Sequence, residues 1–172
     1  MNTRIAPSPT GNFHVGSART AYHNWLVARA TGGSFILRID DTDTERSNPL
    51  YTKNIIDSLE WLNIDYDKIY YQSERLEIYR KYADRLKEDG LAYSTENGAI
   101  LFFPKNWVDS WDDTIAGEIQ VNDRDREIIS GMPLMKSDGM PTYNFASVVD
   151  DIELGVDTIM RGTDHINNTS SR

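Results

Sequence analysis

The chain has 172 residues, of which 39% are apolar and 10% aromatic, so it can bury one core and is not disordered throughout. Its 27 acidic residues outnumber 18 basic ones, and the net charge of −9 argues against a protein that coats polyanions. With no cysteine and no apolar run of membrane-spanning length, we expect no disulfide, no zinc site, no membrane partner and a cytoplasmic location.

Strands and helices alternate in the first half of the sequence. Gly32 and Gly33 are expected to end the first helix, and Asn48 with Pro49 to begin the second. The predicted elements, in chain order, are a strand at 3–6, a helix at 17–30, a strand at 35–39, a helix at 49–61, a strand at 68–71 and a helix at 73–89. This alternation predicts the start of a doubly wound parallel sheet.

The pattern changes after residue 93, where no long helical periodicity is visible. Short β-like runs are predicted among turns and acidic residues, at 100–103, 118–121 and 128–135. We interpret this part, residues 94–136, as a small and mostly β insertion.

The α/β domain is therefore expected to comprise residues 1–93 and 137–172. Within its second part, the parallel sheet is predicted to resume with a strand at 156–161. A further helix is predicted to begin at Asp164.

The loop after the first strand has the features of a phosphate site. Pro7 and Pro9 stop any helix and fix an extended path, and Gly11 and Gly16 flank His14. A glycine lets a ligand approach the backbone, and the unpaired N–H groups at the start of the next helix attract anions. From these features alone, phosphate binding and an ordinary proline-rich turn remain equally good interpretations.

Further blocks carry a family resemblance. They are residues 4–11 (RIAPSPTG), 14–17 (HVGS), 33–43 (GSFILRIDDTD), 72–75 (QSER), 136–139 (KSDG), 141–145 (PTYNF), 148–151 (VVDD), 160–162 (MRG) and 164–169 (DHINNT). In this order they resemble the glutamyl-tRNA synthetases, which are class I aminoacyl-tRNA synthetases. The resemblance covers nearly the whole chain except about 94–130, and implies a Rossmann-like nucleotidylyl transferase fold with an ATP site.

The resemblance also implies a glutamate site. The matching residues are Arg4, Ala6, Ser8, Asp40, Tyr143, Ser147 and Arg161. Arg4 is expected to grip the side-chain carboxylate, since a guanidinium pairs with two oxygens at once, and this favours glutamate over glutamine. Asp40 is expected to hold the ammonium group, and Arg161 to lie near the α-carboxylate. Most relatives have glutamate at Asp40, so the aspartate places its carboxylate about 1.5 Å further back, roughly one carbon–carbon bond.

For ATP, the resemblance implies a second set of residues. They are Pro7, Thr10, Gly11, His14, Gly16, Ser17 and Asp164. His14 and Gly16 are expected to be catalytic, with His14 donating to the triphosphate as charge develops. Ser17 stands where many relatives have a second histidine. Mg²⁺ is expected to arrive with the ATP phosphates, and no metal is expected in a protein cage.

Several acidic residues have a simpler interpretation than ligand binding. Asp41 and Asp43 fit ordinary turn or helix-capping acids better than substrate contacts. Asp150 and Asp151 could suggest a metal pair, but two acids after a Val-Val run are expected to open a turn. No role is assigned to the tryptophans at 107 and 111.

The sequence contains no Lys-Met-Ser-Lys-Ser loop, which in class I synthetases neutralises the triphosphate as pyrophosphate departs. We therefore expect a C-terminally truncated catalytic domain, and three hypotheses remain. The first is a glutamyl-tRNA synthetase domain with weak or no adenylation. The second is a non-catalytic module that binds glutamate, ATP or a partner chain. The third is an enzyme that attaches glutamate to an acceptor other than its usual tRNA. The glutamyl-queuosine enzymes do the last, but their cysteine zinc site is absent here.

Three kinds of partner follow from these hypotheses. L-glutamate and ATP are the expected small molecules. The acceptor end of tRNA is a weaker expectation, given the acidic charge. A second copy or another chain could cover an incomplete sheet.

Overall fold

A computed structural model of the protein describes residues 1–163, 166 and 169. Contacts between residues divide the chain into two units, Met1–Leu76 with Asp150–Gly162, and Glu77–Val149 with Thr163–Arg172. Each unit is described by itself. The sequence predicted domain boundaries at residues 93 and 137, and the two units divide at other positions. The predicted domain boundaries stay a prediction.

A parallel sheet forms the centre of the first unit. Its strands pair in the order β1 (Thr3–Ile5), β2 (Phe35–Ile39) and β3 (Lys68–Tyr71). All five residues of β2 are buried, as expected for a middle strand with both faces covered. The predicted parallel α/β sheet is thus confirmed.

Two helices connect these strands. They are α1 (Val15–Thr31), between β1 and β2, and α2 (Pro49–Trp61), between β2 and β3. Helix α1 ends at Gly32, whose φ of 69° lies in the left-handed region that favours glycine. Helix α2 begins after Asn48, whose side chain accepts a hydrogen bond from the Leu50 amide at 2.9 Å. Local signals in the sequence therefore place both helices correctly.

Apolar side chains from the strands and both helices form one core in this unit. Its buried members are Ile5, Ala21, Ala28, Phe35, Leu37, Ile39, Ile55, Leu59 and Ile64. Because helices α1 and α2 each contribute one stripe, the core fixes both of them against the sheet.

Two carboxylates after α2 tie the loop before β3 to α1. Asp65 accepts hydrogen bonds from the indole of Trp25 at 2.7 Å and from Arg29 at 2.8 Å. Asp67 accepts from Arg29 at 2.9 Å and from the Phe35 amide at 2.7 Å. The hydrogen bonds from Trp25 and Arg29 lower the pKa of Asp65, and those from Arg29 and the Phe35 amide lower the pKa of Asp67.

The helix predicted at 73–89 begins as a short 3-10 segment, Gln72–Arg75, and continues as α3 (Leu76–Glu88). The amide and hydroxyl of Ser73 donate to Asp41 at 2.8 and 2.7 Å. Asp41 thereby accepts from the first turn of this segment across 32 residues of chain, a partner that its own sequence context did not indicate.

The second unit holds the antiparallel strands. They are β4 (Ala92–Ser94), β5 (Ile100–Phe102), β6 (Ser110–Asp113), β7 (Gly117–Gln120) and β8 (Met132–Met135). Strands β4, β5 and β8 form one sheet in that order, and β6 pairs with β7. The expectation of small β elements in this part of the chain is met.

One predicted strand in this unit is partly wrong. Within 128–135, Ile128 and Ile129 end a short helix, α4 (Asp123–Ile129), and only β8 is extended. The helix forms because Asn122 and Asp125 make a capping box, in which each side chain accepts from the other residue's amide, at 3.0 and 3.2 Å.

The strand predicted at 156–161 does not form. After α5 (Tyr143–Glu153), the carbonyl of Asn2 accepts from the amides of both Asp157 and Thr158, at 3.1 and 3.2 Å. The Met160 carbonyl accepts from the side chain of Asn24 at 3.0 Å instead of from a strand. The helix predicted from Asp164 lies outside the described residues.

No helix among the described residues combines the length and apolar character that crossing a bilayer requires.

We predict that Asn48→Ala lowers the free energy of unfolding by about 1 kcal/mol, because the Leu50 amide loses its capping acceptor. Asn48→Asp, which keeps a side-chain oxygen, should stay near wild type. Urea titration followed by circular dichroism measures both variants. Equal stability of Asn48→Ala and wild type would contradict the capping role.

We also predict a pH-dependent contribution from Asp65 and Asp67. Because folding lowers both pKa values, their stabilisation is present above about pH 4 and is lost as the pH falls through the folded pKa values. The double variant Asp65→Asn, Asp67→Asn should therefore be less stable than wild type at pH 7. The gap should narrow below pH 4 in urea titrations across that range, and a constant gap would refute the assignment.

Candidate functional site

The loop after β1 is held at the edge where the parallel strands end. The Pro7 carbonyl accepts from the amide of Asp40, which follows β2, and the Pro9 carbonyl accepts from the amide of Asn48, each at 3.0 Å. The Phe13 amide donates to the side chain of Asn54 in α2 at 2.8 Å. Parallel sheets present ligand sites at this edge, so the loop lies where a nucleotide site is expected.

His14 caps the first turn of α1. Its Nδ1 accepts from the amides of Gly16 and Ser17 at 3.1 and 3.4 Å, and its Nε2 lies 3.3 Å from the Ser17 hydroxyl. Neutral His14 therefore carries its proton on Nε2. The sequence had suggested that these amides would be open to an anion, but in the structure His14 occupies them.

Gly16 is packed under the His14 ring. A Cβ atom at this position would lie 3.0 Å from Cε1 and 3.1 Å from Nδ1 of His14, closer than a side chain normally allows. Around Gly11, by contrast, a Cβ would meet nothing within 4 Å. A side chain at Gly16 would therefore push the His14 ring aside by a few tenths of an ångström, whereas Gly11 leaves open space beside the loop.

The predicted ATP residues of this loop and of the first turn of α1 are brought together by their closeness in sequence, and so are the predicted glutamate residues Ala6 and Ser8. Ser8, Thr10, His14 and Gly16 are exposed. Ala6, Pro7, Gly11 and Ser17 are half-buried. Asp164, the remaining predicted contact, lies outside the described residues.

Arg38 occupies the middle of a buried charge network. Its side chain is fully buried, and its Nε and Nη2 donate to the two carboxylate oxygens of Asp40 at 2.6 and 3.1 Å. Its Nη1 donates to Oδ1 of Asp151 at 2.9 Å, and Oδ2 of Asp150 lies 3.6 Å from Nε. One guanidinium thus contacts three carboxylates.

Arg4 joins this network from the neighbouring strand. It lies opposite Ile36 in the sheet, and since residues two apart in a strand share a face, Arg4, Arg38 and Asp40 point the same way. The Nε and Nη2 atoms of Arg4 donate to Asp151 at 3.1 and 3.3 Å. Its Nη1 makes no hydrogen bond to another described residue, so one edge of the guanidinium remains available.

Asp150 completes the network from the other side. It accepts from Gln72 at 2.9 Å and from Nε of Arg75 at 2.7 Å. The sequence context of Asp150 and Asp151 had suggested that they open a turn, and this expectation is wrong. They are buried residues of α5, because arginines in a buried site require carboxylate partners.

Burial and pairing act in opposite directions on these groups. Burial lowers the pKa of Arg38, but the charge and hydrogen bonds of Asp40 and the charges of Asp151 and Asp150 outweigh it, and the net pKa is raised. Burial raises the pKa of Asp40, and Arg38 opposes this shift. Arg38 is consequently a permanent cation that its neighbours must neutralise.

The predicted ammonium-binding role of Asp40 meets a constraint. Both of its oxygens accept from Arg38, and the residue is 3% exposed. A substrate ammonium would need the remaining lone pairs of a buried carboxylate.

The other predicted glutamate residues are distributed over both units. Arg161, half-buried, belongs to the first unit with Arg4 and Asp40. Tyr143 and Ser147 belong to the second, where Tyr143 begins α5 and is 43% exposed, and Ser147 is buried.

Asp43, which like Asp41 was expected in a turn, accepts from the amide and from Nε of Arg46, at 3.1 and 2.7 Å.

No group of three or more histidine or acidic side chains among the described residues could hold a metal ion.

Sequence reasoning missed the residues that hold the site together: Arg38, Gln72, Arg75, Asp150 and Asp151. The sequence did contain a signal for Arg38. It is the one charged residue in a five-residue apolar strand, and a buried arginine needs an acidic partner.

Comparison with known proteins identifies the family. The family model described as "tRNA synthetases class I (E and Q), catalytic domain" matches residues 1–99 and 102–172. A glutamate–tRNA ligase of Nitratidesulfovibrio vulgaris (strain DP4) is 42% identical over 204 residues, which cover 97% of this chain and 43% of that protein. Glutamate–tRNA ligase 2 of Neorickettsia sennetsu (strain ATCC VR-367 / Miyayama) is 46% identical over 168 residues, which cover 97% of this chain and 40% of that protein.

Solved structures agree with these sequence matches. The crystal structure of a glutamate tRNA ligase from Elizabethkingia meningosepticum CCUG26117, in complex with its amino acid, superposes with a TM-score of 0.83 at 29% identity. The superposition covers 98% of this chain and 45% of that one, so the chain spans less than half the length of these relatives. The chain belongs to the class I tRNA synthetases of the E and Q type and corresponds to part of their catalytic domain.

Proposed function

We propose that this chain binds ATP and L-glutamate as a glutamate–tRNA ligase catalytic domain and brings them together for glutamyl-adenylate formation. Its relatives are glutamate–tRNA ligases, and two groups suited to these ligands lie on β1 and in the loop that follows it. One is the buried Arg4 cation, and the other is the loop that ends at His14.

The observation that carries the proposal is the state of Arg4. Asp151 fixes one edge of its guanidinium, and Nη1 has no hydrogen-bond partner among the described residues. A fixed cation with donors to spare suits a carboxylate, since two parallel N–H···O bonds give both energy and direction. A carboxamide offers only one acceptor oxygen, so this pocket favours glutamate over glutamine.

His14 supports the nucleotide part of the proposal. Because Nδ1 accepts from the helix amides, the ring is held at the start of α1 with Nε2–H as its donor. We propose that Nε2–H, which lies beside the Ser17 hydroxyl, donates its hydrogen bond to a phosphate oxygen of ATP when the nucleotide binds, with the proton staying on Nε2. A donor fixed before the ligand arrives stabilises developing charge without reorganisation.

The proposed reaction needs positioning more than covalent help. An α-carboxylate oxygen of glutamate forms a bond to the α-phosphorus of ATP. The bond from that phosphorus to the β-phosphate oxygen breaks, and pyrophosphate leaves with its electron pair. Mg²⁺ enters on the ATP phosphates and neutralises part of their charge.

The sequence bears on the rate of this reaction. These 172 residues contain no Lys-Met-Ser-Lys-Ser loop, the segment that the family resemblance associates with neutralising the triphosphate. We propose that adenylation by these residues alone is slow or lost while both ligands still bind. The alternative of a purely non-catalytic glutamate, ATP or partner-binding module predicts binding with no exchange at all.

Larger partners have weaker support. Residues 94–136 hold 8 acidic and 4 basic side chains, so this part offers no excess of cations to a tRNA acceptor end. A second copy or another chain that completes the sheet, and a cytoplasmic location, remain expectations from the sequence.

We predict that titration calorimetry detects glutamate binding to the wild-type chain. Arg4→Ala should weaken this binding by roughly 100-fold or more, because the side-chain carboxylate of the bound glutamate loses the buried cation with which it pairs. Arg4→Lys keeps the charge but loses the fork, and should fall between. Arg46→Ala, which removes an exposed arginine, is the control. The site assignment fails if glutamate binds Arg4→Ala as tightly as wild type.

The same samples decide between catalysis and binding alone. Glutamate-dependent exchange of pyrophosphate into ATP, measured with and without added tRNA, indicates adenylation. Binding without exchange supports the module.

We further predict that Gly16→Ala weakens ATP binding by roughly 10-fold, since its Cβ displaces the His14 ring by a few tenths of an ångström. Val15→Ala is the matched control, because Val15 is the neighbouring first-turn residue and is 86% exposed. Fluorescence titration with ATP measures both. Unchanged ATP affinity in Gly16→Ala would remove His14 from the proposal.

A further inference from the structure

One chain of contacts leads from the middle strand to the proposed glutamate contact. Nη1 of Arg38 donates to Oδ1 of Asp151 at 2.9 Å, and the same oxygen accepts from Nε of Arg4 at 3.1 Å. Oδ2 of Asp151 accepts from Nη2 of Arg4 at 3.3 Å. Asp151 is therefore shared between two arginines, and its orientation depends on both.

The position of Arg38 makes it the fixed member of this chain. It is fully buried, whereas the side chains of Arg4 and Asp151 are 7% and 9% exposed. Its other two donor atoms are bound to Asp40, so the guanidinium cannot rotate without losing a bidentate pair. Asp151 is thus held from the interior, and Arg4 is held through Asp151.

We propose that Arg38 is a positioning residue that orients Arg4 through Asp151 and so sets the preference of the site for a carboxylate over a carboxamide. This inference rests on the proposed function of Arg4 as the contact to the glutamate side chain. Arg38 itself touches no substrate.

The preference for glutamate over glutamine depends on which hydrogen-bond donors Asp151 accepts from. While Arg38 and Arg4 occupy Asp151, its oxygens are directed at guanidinium N–H groups. If Arg38 no longer holds it, Asp151 can turn an oxygen toward the pocket, where it would accept from the NH₂ of glutamine and repel glutamate. The Arg4 fork would lose its fixed direction at the same time.

Lysine at position 38 separates charge from geometry. The network contains three arginines, Arg4, Arg38 and Arg75, and three aspartates, Asp40, Asp150 and Asp151. Arg38→Lys keeps this balance, but one ammonium cannot make the planar three-atom contact to Asp40 and Asp151. Arg38→Lys therefore removes the directed hydrogen bonds to Asp40 and Asp151 without changing the net charge of the network.

Arg75→Lys is the matched control. Arg75 pairs with Asp150, the residue next to Asp151, and its side chain is 12% exposed. The same substitution in the same network leaves the contacts from Arg38 through Asp151 to Arg4 intact. A general effect of weakening the network would appear in both variants.

The experiment measures glutamate, glutamine and ATP binding by titration calorimetry on the wild type and both lysine variants. We expect Arg38→Lys to weaken glutamate binding by roughly 10- to 100-fold, with glutamine weakened less and ATP unchanged. Arg75→Lys should keep the wild-type ratio of glutamate to glutamine affinity. An unchanged ratio in Arg38→Lys, or an equal fall in both variants, overturns the inference.

A second readout needs no ligand. The Nε–Hε signals of arginines in ¹H–¹⁵N spectra report their hydrogen bonds, and the Arg4 signal is identified by its loss in Arg4→Lys. The Arg4 signal should lose its protection from solvent exchange in Arg38→Lys but not in Arg75→Lys. If wild type binds no glutamate, the proposed function fails, and this signal still decides whether Arg38 positions Arg4.

If circular dichroism shows that Arg38→Lys is unfolded, Asp151→Asn tests the same contact from its other end. It removes the shared carboxylate charge with little change in shape. The same fall in the glutamate-to-glutamine ratio is expected, and retention of the wild-type ratio and of the Arg4 signal overturns the inference.

Discussion

The buried guanidinium of Arg38 is the constraint on which the first unit depends. A permanent cation in the middle of a parallel sheet is unfavourable unless carboxylates surround it, and two of the three nearby aspartates come from α5. The end of α5 is therefore tied to strands that are more than 100 residues earlier in the chain. Arg4 and Arg75 extend the same network to β1 and to the segment after β3.

The elements that could be predicted from sequence are those with local signals. Gly32 ends α1, Asn48 and Pro49 begin α2, and the apolar run of β2 needs no distant partner to be recognised. The strand expected at 156–161 does not form, and the partners of this segment are distant in sequence. Its Met160 carbonyl accepts from the side chain of Asn24, which no pattern within 156–161 encodes.

The site shows the same division between local and distant information. The loop from Pro7 to Gly16 is contiguous, so its motif was readable, although the capping of α1 by His14 Nδ1 was not. Asp150 and Asp151 resembled a turn because their partners lie far away in sequence. Family resemblance supplied residue roles there, but the contacts among Arg38, Asp151 and Arg4 required the structure.

Helix α5 limits where this chain can change length in evolution. One inserted or deleted residue inside it would rotate the following acids by about 100° around the helix axis, away from the arginines. The alignment with the Nitratidesulfovibrio protein spans 204 residues, more than this chain contains, so length does vary among relatives. Such changes are tolerable in loops, whereas the adjacent acids Asp150 and Asp151 must keep the spacing that lets both reach the arginines.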